Sequence, residues 1–370
     1  MKPWGQERGP RSPAADALED LAGAGIDLDP STPAERARAR SRGADGATAS
    51  EHPAGVDDPA DRDHPHDDAH PHTHPHVHSK PDEPPIVGIV GAGAVGTALG
   101  LALSRAGWPI QAVASRDAGR RERFRSLVPG ARAFAEANAL LDEVELVIVA
   151  VPDDAIPSVA GRLHLYSGQA IVHTSGLLGA AALSPAMAAG TQIGAFHPLV
   201  AFADTERAVA ALHGATIAIE GDDQLLDLLA RMAEAIGGVP VRLAPGAKAA
   251  YHAAAMLAAG GFVALLDAIA ELGRVAGLDE SGSLAVYGPL LEQTLGNARV
   301  IGIQAALTGP LTRGDDGTLR AHLAELGARA PGVLELYRVL ARRELALAEA
   351  RGTLAPEVAE RLRLSLANPA

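Results

Sequence analysis

A glycine-rich turn between an apolar strand and a helix is the feature that most constrains the fold. Residues 86–107, IVGIVGAGAVGTALGLALSRAG, place a Gly-x-Gly-x-x-Gly motif directly after the predicted strand and before the predicted helix. In this context the glycines allow a tight turn, close approach of a pyrophosphate, and close helix–strand packing. The helix N-terminus adds amide donors and partial positive charge. A glycine turn without a ligand is the alternative; the predicted dinucleotide site comprises Gly91, Ala92, Gly93, Ala94, Val95 and Gly96.

The strand after this turn, IQAVASRD, decides which dinucleotide is expected. NAD sites end this strand with an acid that accepts hydrogen bonds from the ribose 2′-hydroxyl. Here Ser115 and Arg116 occupy that place, and Asp117 comes one residue too late. A hydroxyl followed by a guanidinium suits a 2′-phosphate, because arginine forms paired hydrogen bonds with its oxygens. With Arg120 and Arg121 adding positive charge, the sequence predicts NADP(H) rather than NAD(H).

A further strand, VIVAVPDDAI, ends at Val151 and Pro152. A proline here is similar to a common contact of such domains, in which backbone and proline flank the nicotinamide ribose. Asp153 and Asp154 follow. They could form an acid pair, but the preferred interpretation is that they cap the next helix, because an Asp side chain satisfies free amides at a helix start.

The amino-acid composition of the chain changes at Pro85. Residues 1–84 are rich in Pro, Ala, Asp, Arg and His and have few residues that could build a core, which predicts a disordered tail. Within it, HPHDDAHPHTHPHVH carries seven histidines between His64 and His78. Such a run could bind zinc, nickel or copper loosely. A tail without a dedicated role is the preferred interpretation, and no fixed metal site is predicted.

After Pro85, short β-rich runs alternate with helical segments and predict an α/β fold with a mostly parallel sheet. The predicted strands are IVGIV, IQAVAS, VELVIVAV, AIVHTS, TQIGAFH and ATIAIE. We expect an N-terminal Rossmann dinucleotide-binding domain over residues 85–243 and an all-α C-terminal domain over residues 244–370. The predicted helices of the second domain are 246–275, 282–304, 318–328, 331–350 and 356–367.

Composition excludes several classes of function. The formal net charge of −13 argues against a nucleic-acid surface, and the absence of cysteine excludes disulfides and thiolate chemistry. The first residues show no apolar signal segment. The least polar run, Ala249 to Leu266, is mostly alanine and glycine, so we expect a buried helix rather than a membrane span. These features favour a cytoplasmic protein, and the apolar helical domain favours a homodimer.

Polar side chains interrupt the apolar strand ends at the edge where open α/β sheets bind ligands. Ser175 in HTSG could hydrogen-bond a substrate, or could cap the following segment. His197 in FHPLVAF could take part in chemistry, or could be a satisfied histidine before a rigid proline.

The segment APGAKAAYHAAAM places Lys248 and His252 one helical turn apart on the same face. An ammonium in the first turn opposes the helix dipole, so something must compensate it, and an anionic or carbonyl substrate would do so. Lysine in a dry cleft has a lowered pKa, which suits proton donation to a carbonyl oxygen, and His252 could share that proton. A lysine that extends along a surface edge is the alternative.

These motifs together resemble the β-hydroxyacid and 6-phosphogluconate dehydrogenase superfamily, whose members carry Lys-x-x-x-Asn on the long interdomain helix. Lys248 matches the lysine, and His252 stands in place of the asparagine. Three runs, FHPLVAF, AKAAYHAAAMLAAGGFVALLDAI and LTGPLTRGDDGTLRAHLAEL, resemble the Rossmann-like dehydrogenases with a C-terminal domain of unknown function 2520. That family usually has an asparagine in mid-helix, where this chain has Gly260 and Gly261. The resemblance implies an oxidoreductase with a dinucleotide cofactor.

The run LTGPLTRGD adds two substrate candidates. Arg313 could clamp a substrate carboxylate while Asp315 orients His322 or Lys248, or Arg313 and Asp315 could pair with each other and hold the loop.

Two functions are consistent with these motifs. The first is an NADP(H)-dependent oxidoreductase acting on a small carbonyl or imine acid, with ketopantoate reduction favoured on architecture alone. Lys248, His252, Ser175 and His197 are its candidate catalytic residues. The alternative is a non-catalytic NADP(H)-binding sensor or interaction module.

Overall fold

The computed structural model describes residues 83–352 and 354–367, without the side chains of residues 188 and 189. The disordered tail predicted for residues 1–84, apart from its last two residues, lies outside this range, as does the metal binding predicted for its histidine run. The chain divides into two compact units, one ending at Ala253 and one running from Ala254 to Ala370.

One sheet organises the first unit. Among the described residues, eight strands form it in the order β3-β2-β1-β4-β5-β6-β7-β8. Neighbouring strands are parallel except β6 and β7, which pair antiparallel with Phe196 opposite Ile219. The strands are Val87–Val90 (β1), Ile110–Ala114 (β2), Arg132–Phe134 (β3), Leu146–Val149 (β4), Ala170–His173 (β5), Gln192–Pro198 (β6), Thr216–Glu220 (β7) and Val239–Arg242 (β8).

Helices cover both faces of this sheet. The central strands are continuously apolar because successive side chains point to opposite faces and both faces are buried. In β4, Ile148 belongs to one hydrophobic core, whereas Val147 and Val149 belong to the other. The α-helices of this unit are Ala94–Arg105 (α1), Ala118–Leu127 (α2), Ile156–Ala160 (α3), Thr205–Leu212 (α4), Asp223–Ala235 (α5) and Lys248–Met256 (α6), with 3₁₀ segments at Ala137–Glu143, Asp153–Ala155 and Ala180–Ala189.

The sequence-based prediction of a Rossmann domain is confirmed. The strand order from β3 to β6 is that of the doubly wound dinucleotide-binding fold, with its crevice between β1 and β4. All six predicted strands form. The prediction missed β3 and β8, which are short edge strands; β8 contains Pro240, and proline argues against a strand in sequence reasoning.

The regular secondary structure of the second unit, over its described residues, is helical. α6 continues through a π-helical turn at Leu257–Gly261 into α7, so that one long helix runs over Lys248–Val275. Leu319, Leu345 and Leu362 form the centre of its main hydrophobic core. The helices are Phe262–Val275 (α7), Glu280–Ile301 (α8), Ile303–Ala306 (α9), Pro310–Arg313 (α10), Asp316–Arg329 (α11), Pro331–Ala350 (α12) and Pro356–Ala367 (α13).

The long helix is exposed, so the prediction of a buried helix over residues 249–266 is wrong. No residue in that stretch is buried, and Leu257 is 75% exposed. In a later turn of this helix, Ala268 joins a small core with Leu326. By length and composition alone, Lys248–Val275 could also cross a membrane.

The glycine turn generates a test of the fold. A β-carbon on Gly96 would lie 2.0 Å from the carbonyl oxygen of Gly91, whereas one on Gly93 would meet nothing within 4 Å. We expect Gly96→Ala to lower the free energy of unfolding by about 3 kcal/mol, because backbone must move. The matched Gly93→Ala should lower the free energy of unfolding by less than about 1 kcal/mol, because alanine loses only the modest preference that an N-cap position has for glycine. Urea unfolding measures both, and equal losses would contradict the packing described.

Candidate functional site

The three glycines of the turn have separate structural tasks. Gly91 has a φ of +111°, and a β-carbon there would lie 2.2 Å from the carbonyl oxygen of Ala150, so only glycine fits. Gly96 lets α1 approach the turn closely. Gly93, by contrast, borders open space at the N-terminus of α1. That space is where the backbone can receive a phosphate, as the motif predicts.

A cavity of about 920 Å³ opens beside this turn. It lies at the carboxyl ends of β1, β2, β4 and β5, which is the ligand-binding edge of such sheets. Ala92, although predicted to belong to the site, lines a separate cavity of about 250 Å³ that shares Gly93 and Ala94 with the larger one. The main cavity is lined by Gly91, Gly93, Ala94, Val95, Ser115, Arg116, Arg120, Val151, Pro152, Asp154, Thr174 and others.

One end of the cavity is suited to a phosphate monoester. Ser115, Arg116, Asp117 and Arg120 together line a surface pocket there. Asp117 caps α2, because its Oδ1 accepts a hydrogen bond from the amide of Arg120 at 2.9 Å, and this bond lowers the pKa of Asp117. The carboxylate is therefore engaged with the start of α2.

Arg121 supports this end of the cavity from behind. Its guanidinium donates to the backbone carbonyls of Ser115 and Arg116, so it fixes the strand end rather than facing the cavity. The positive charge predicted for a 2′-phosphate thus comes from Arg116 and Arg120. The residues present fit a phosphorylated dinucleotide, with pyrophosphate at Gly93 and a further phosphate at Arg116.

Ser175 shapes the turn after β5. Its hydroxyl accepts hydrogen bonds from the amides of Leu177 and Leu178 and donates one to Asp153 Oδ2 at 2.7 Å. The side chain is buried and its hydrogen bonds are complete, which matches the capping alternative rather than substrate binding. Asp153 does not cap the helix after it, contrary to the preferred interpretation, because its carboxylate is bound to Ser175.

Lys248 points inward and is compensated by the protein itself. Its ammonium donates to the backbone carbonyls of Ser175, at 3.5 Å, and Leu178, and pairs with Glu220 at 3.5 Å. The side chain is 13% exposed, so the surface-edge alternative is wrong. Burial lowers the pKa of Lys248, as the sequence suggested, while Glu220 opposes that shift. The compensating charge expected from a substrate is supplied by Glu220.

His197 and His252 lie together over the turn that Lys248 holds. Their ring centroids are 6.0 Å apart, and the hydroxyl of Tyr251 lies 3.4 Å from His197 Nδ1. A β-carbon on Gly176 would be 2.7 Å from His197 Nε2 and 2.6 Å from His252 Nδ1, so only glycine leaves room for both imidazoles. His252 Nδ1 is buried and has no hydrogen-bond partner.

Burial controls the charge of these groups. Desolvation lowers the pKa of His197 to about 4, and the neighbouring His252 and Lys248 act in the same direction. Burial also raises the pKa of Tyr251 to about 12 and lowers that of His173, which is fully buried. His173 is structural: Nε2 contacts the Gly179 carbonyl at 2.9 Å, and Nδ1 accepts from the Ser175 amide. At neutral pH the site therefore contains an uncharged His197 and a protonated Tyr251.

Arg313 and Asp315 lie in the second unit, at the end of α10 and the start of α11. Asp315 caps α11, with its carboxylate accepting from the amide and the hydroxyl of Thr318. These hydrogen bonds lower the pKa of Asp315, and Arg313 contributes to the same shift more weakly.

Two participants of the site were not predicted from the sequence. Glu220 ends β7 and also accepts a hydrogen bond from the amide of Ala180, so it joins two segments far apart in sequence. Nothing in the sequence around Glu220 distinguishes it from a carboxylate on the surface. Tyr251 could have been found, because it lies three residues after Lys248 and one before His252, on the same helical face. Among the described residues, no group of three or more potential ligands is arranged to hold a metal ion.

Comparison with known proteins agrees with this architecture. Residues 73–198 match the Rossmann-like domain family, and residues 215–344 match the domain of unknown function 2520. No curated protein matches the chain in sequence. The sequence-based resemblance to the wider 6-phosphogluconate dehydrogenase superfamily stays a prediction.

Three solved structures share the fold. A Bacteroides fragilis protein provisionally named an NADP oxidoreductase is 22% identical, with a TM-score of 0.61 over 71% of this chain and 98% of that one. Protein TM1727 from Thermotoga maritima is 26% identical, with a TM-score of 0.56 over 72% and 99%. A reductive aminase from Aspergillus terreus, solved with NADPH and ethyl-5-oxohexanoate, is 18% identical, with a TM-score of 0.55 over 76% and 99%.

The lowered pKa of His197 predicts a pH dependence of stability. The unfolded chain binds this proton near pH 6.5 and the folded chain only near pH 4, so acid favours unfolding between these values. We expect the free energy of unfolding to fall across this window by up to about 3 kcal/mol from this group. His197→Gln should remove that part of the slope, measured by urea unfolding at several pH values. An unchanged slope would show that His197 is accessible to solvent protons in the folded state.

Proposed function

We propose that the protein is an NADP(H)-dependent oxidoreductase that reduces a small carbonyl or imine acid. The observation that carries this proposal is the cavity beside Gly93, with Ser115 and Arg116 at one end and Thr174 at the other. Thr174 leads directly into the turn beneath the paired imidazoles of His197 and His252. A dinucleotide site thus borders a cluster of groups that can move a proton.

The residues that would hold the cofactor follow from the cavity. Gly93 and the amides that begin α1 would bind the pyrophosphate, and Ser115 with Arg116 would bind the 2′-phosphate. Val151 and Pro152 would lie along the nicotinamide ribose. When bound, the reduced dinucleotide supplies a hydride to the substrate carbon.

The candidate catalytic residues form two groups, according to whether their hydrogen bonds are completed within the protein. Ser175 and Lys248 are saturated by contacts within the protein, so in our proposal they position the turn. The rings of His197 and His252 lie with centroids 6.0 Å apart and His252 Nδ1 has no hydrogen-bond partner, so in our proposal these two residues are the candidates for contact with substrate. Arg313 is our candidate for a substrate carboxylate, because a guanidinium binds a carboxylate through paired hydrogen bonds.

Cofactor selectivity tests the proposal. Arg116→Ala should weaken NADPH binding about 10- to 100-fold, the value of a charge-assisted hydrogen bond, and leave NADH binding unchanged. Fluorescence titration with both dinucleotides measures this. Arg125→Ala is the matched control, because Arg125 lies on α2, which begins two residues after Arg116, and pairs with Glu122 instead of lining the main cavity. Equal weakening of both dinucleotides would contradict the 2′-phosphate assignment.

Turnover distinguishes an enzyme from a binding module. We expect the purified chain to oxidise NADPH with at least one member of a panel of 2-oxo acids, headed by ketopantoate, and cyclic imines. Tight NADPH binding without turnover over the whole panel would favour the non-catalytic sensor.

We further propose that a second copy of the chain covers the exposed long helix. Exposed apolar side chains include Leu257 and Val263 on the long helix. On α8 and α9, Val300 is 83% exposed and Ile303 is 71% exposed. Large exposed apolar patches mark interaction surfaces. A membrane is the poorer occupant, because the helix begins with Lys248 fixed at the sheet edge of the first unit. The covered homodimer would be a cytoplasmic protein.

Oligomeric state tests this second proposal. The full chain should behave as a dimer in light scattering, and Val300→Glu with Ile303→Glu should shift it to a monomer, because two charges would have to be buried without partners. Leu364→Glu, on α13, provides an exposed apolar control that should stay dimeric. A wild-type monomer, or a chain that is recovered only with detergent, would contradict the proposal.

A further inference from the structure

A second, smaller cavity lies at the glycine turn, beside the one proposed to hold the dinucleotide. Its volume is about 250 Å³. Pockets for drug-sized ligands are larger, at about 300–1,000 Å³. Ser115, Arg116, Val151 and Pro152, which we assign to the 2′-phosphate and the nicotinamide ribose, line the larger cavity and not this one. The small cavity therefore suits one small group rather than a second dinucleotide.

Thr97 brings an unused hydroxyl to the small cavity. The residue lines the cavity from the first turn of α1 and is only 5% exposed. A helical threonine can bond its hydroxyl to the carbonyl four residues earlier, as Thr294 does with Leu290 at 2.8 Å. No described residue forms a hydrogen bond with the hydroxyl of Thr97, although its amide donates to the carbonyl of Gly93 at 2.9 Å.

The hydroxyl of Thr97 keeps contact with the open space. It is not one of the side-chain atoms, among the described residues, that are both sealed from solvent and without a hydrogen-bond partner. Because the residue is otherwise buried and lines the small cavity, the surface left to the hydroxyl faces that cavity. Buried polar groups in native proteins are almost always hydrogen-bonded, so this one indicates a polar ligand.

Two guanidiniums give the cavity its positive charge. Arg120 and Arg123 both line it and lie three residues apart on α2, so their side chains leave the same face of the helix. Arg123 forms no ion pair with a described residue. The Nε of Arg120 lies 3.8 Å from Asp117 Oδ2, which is a long ion pair at the surface. Both guanidiniums can therefore turn to an anion.

Two helices also begin at the cavity. Ala94 is the first residue of α1 and Thr205 the first of α4, and both line it. Gly93 has no side chain to cap α1, and the space beside it is open. The start of α1 thus offers free amides and partial positive charge. Asp204 adds a negative charge, but its Oδ1 accepts from the amide of Arg207 at 2.9 Å and caps α4.

The donors of the cavity match a phosphate group. They are one hydroxyl, two guanidiniums and the amides at the start of α1, and their positive charge exceeds that of the single carboxylate. A carboxylate has two acceptor oxygens. A phosphate group has three or more, carries up to about two negative charges, and forms paired hydrogen bonds with arginine. A phosphate group therefore satisfies more of these donors than a carboxylate does.

We propose that the small cavity binds a phosphate group through the hydroxyl of Thr97 and the guanidiniums of Arg120 and Arg123. The group comes either from the pyrophosphate of the cofactor, reaching across Gly93, or from a separate phosphate or phosphoester. Gly93, Ala94 and Arg120 line both cavities, so the two sources affect dinucleotide binding differently. The site consists of residues of the first unit alone, and it does not rest on the proposed reductase function.

Inorganic phosphate is the probe for this site. Isothermal titration calorimetry of the full chain with sodium phosphate should show saturable binding that sodium chloride of the same ionic strength does not reproduce. Arg123→Ala should weaken phosphate binding about 10- to 100-fold, because a charge-assisted hydrogen bond is lost. Thr97→Val should weaken it about 10-fold, since valine keeps the shape and loses only the hydroxyl. Thr97→Ser restores a hydroxyl and should bind phosphate as the wild type does.

Arg125→Ala is the matched control for the arginine variant. Arg125 lies on the same helix as Arg123 and pairs with Glu122 instead of lining the small cavity, so phosphate binding should not change. Circular dichroism checks that each variant is folded. Absence of saturable binding, or wild-type binding in both Arg123→Ala and Thr97→Val, would overturn the inference. Loss of binding in Arg116→Ala alone would also overturn it, because the phosphate would then lie at the 2′-phosphate end of the main cavity.

Dinucleotides distinguish the two sources of the phosphate group. If the pyrophosphate occupies the small cavity, the apparent Kd for phosphate rises in proportion to NADPH concentration, and Arg123→Ala weakens NADPH and NADH binding equally. If a separate molecule occupies it, the apparent Kd reaches a plateau, and Arg123→Ala leaves both dinucleotide affinities unchanged. Either result supports the site and identifies its occupant. Phosphate binding without any NADPH binding would refute the proposed function and leave this site in place.

Discussion

The ammonium of Lys248 is the interaction on which the site depends. It joins the turn after β5, through the carbonyls of Ser175 and Leu178, to Glu220 at the end of β7. A buried charge of this kind is stable only while its partners stay in place, because an unpaired charge in the interior is strongly destabilising. The first turn of α6 is therefore anchored over the turn that contains Gly176. This anchor also fixes the positions of Tyr251 and His252, because they lie three and four residues after Lys248 on the same helical face.

The polar groups of the site fall into two sets with different tasks. Ser175, Asp153, His173 and Lys248 use their hydrogen bonds within the protein and build a rigid turn. His197 and His252 project from two other elements toward the glycine in that turn. Reactive groups supported by a saturated neighbourhood keep their geometry and need little reorganisation when charge develops. The distance of a residue from the cavity would not distinguish the structural set from the two imidazoles. The number of hydrogen bonds that each side chain makes within the protein does distinguish them.

The sequence predicted the parts that depend on local pattern. The glycine motif, the six central strands and the long helices each carry their own periodicity, and Ser115 with Arg116 follows from the position of one strand end. The partners of Lys248 and Asp153 could not be predicted in this way, because Glu220 and Ser175 reach them only through the folded sheet. The exposure of the long helix also escaped prediction. An apolar run indicates that a surface will be covered, but it does not say whether the same chain covers it.

His252 gives the site a chemical capacity that the resembling sequences do not imply. The superfamily that this chain resembles places an asparagine four residues after the lysine, and an amide can orient a carbonyl but cannot transfer a proton to it. An imidazole at that position can do both. The exchange is consistent with the contacts of Lys248, whose proton is held by backbone carbonyls and Glu220 instead of facing a substrate. In the proposed reaction, a lysine that serves as an anchor leaves the proton to another group, and His252, one turn later, has a ring nitrogen without a hydrogen-bond partner.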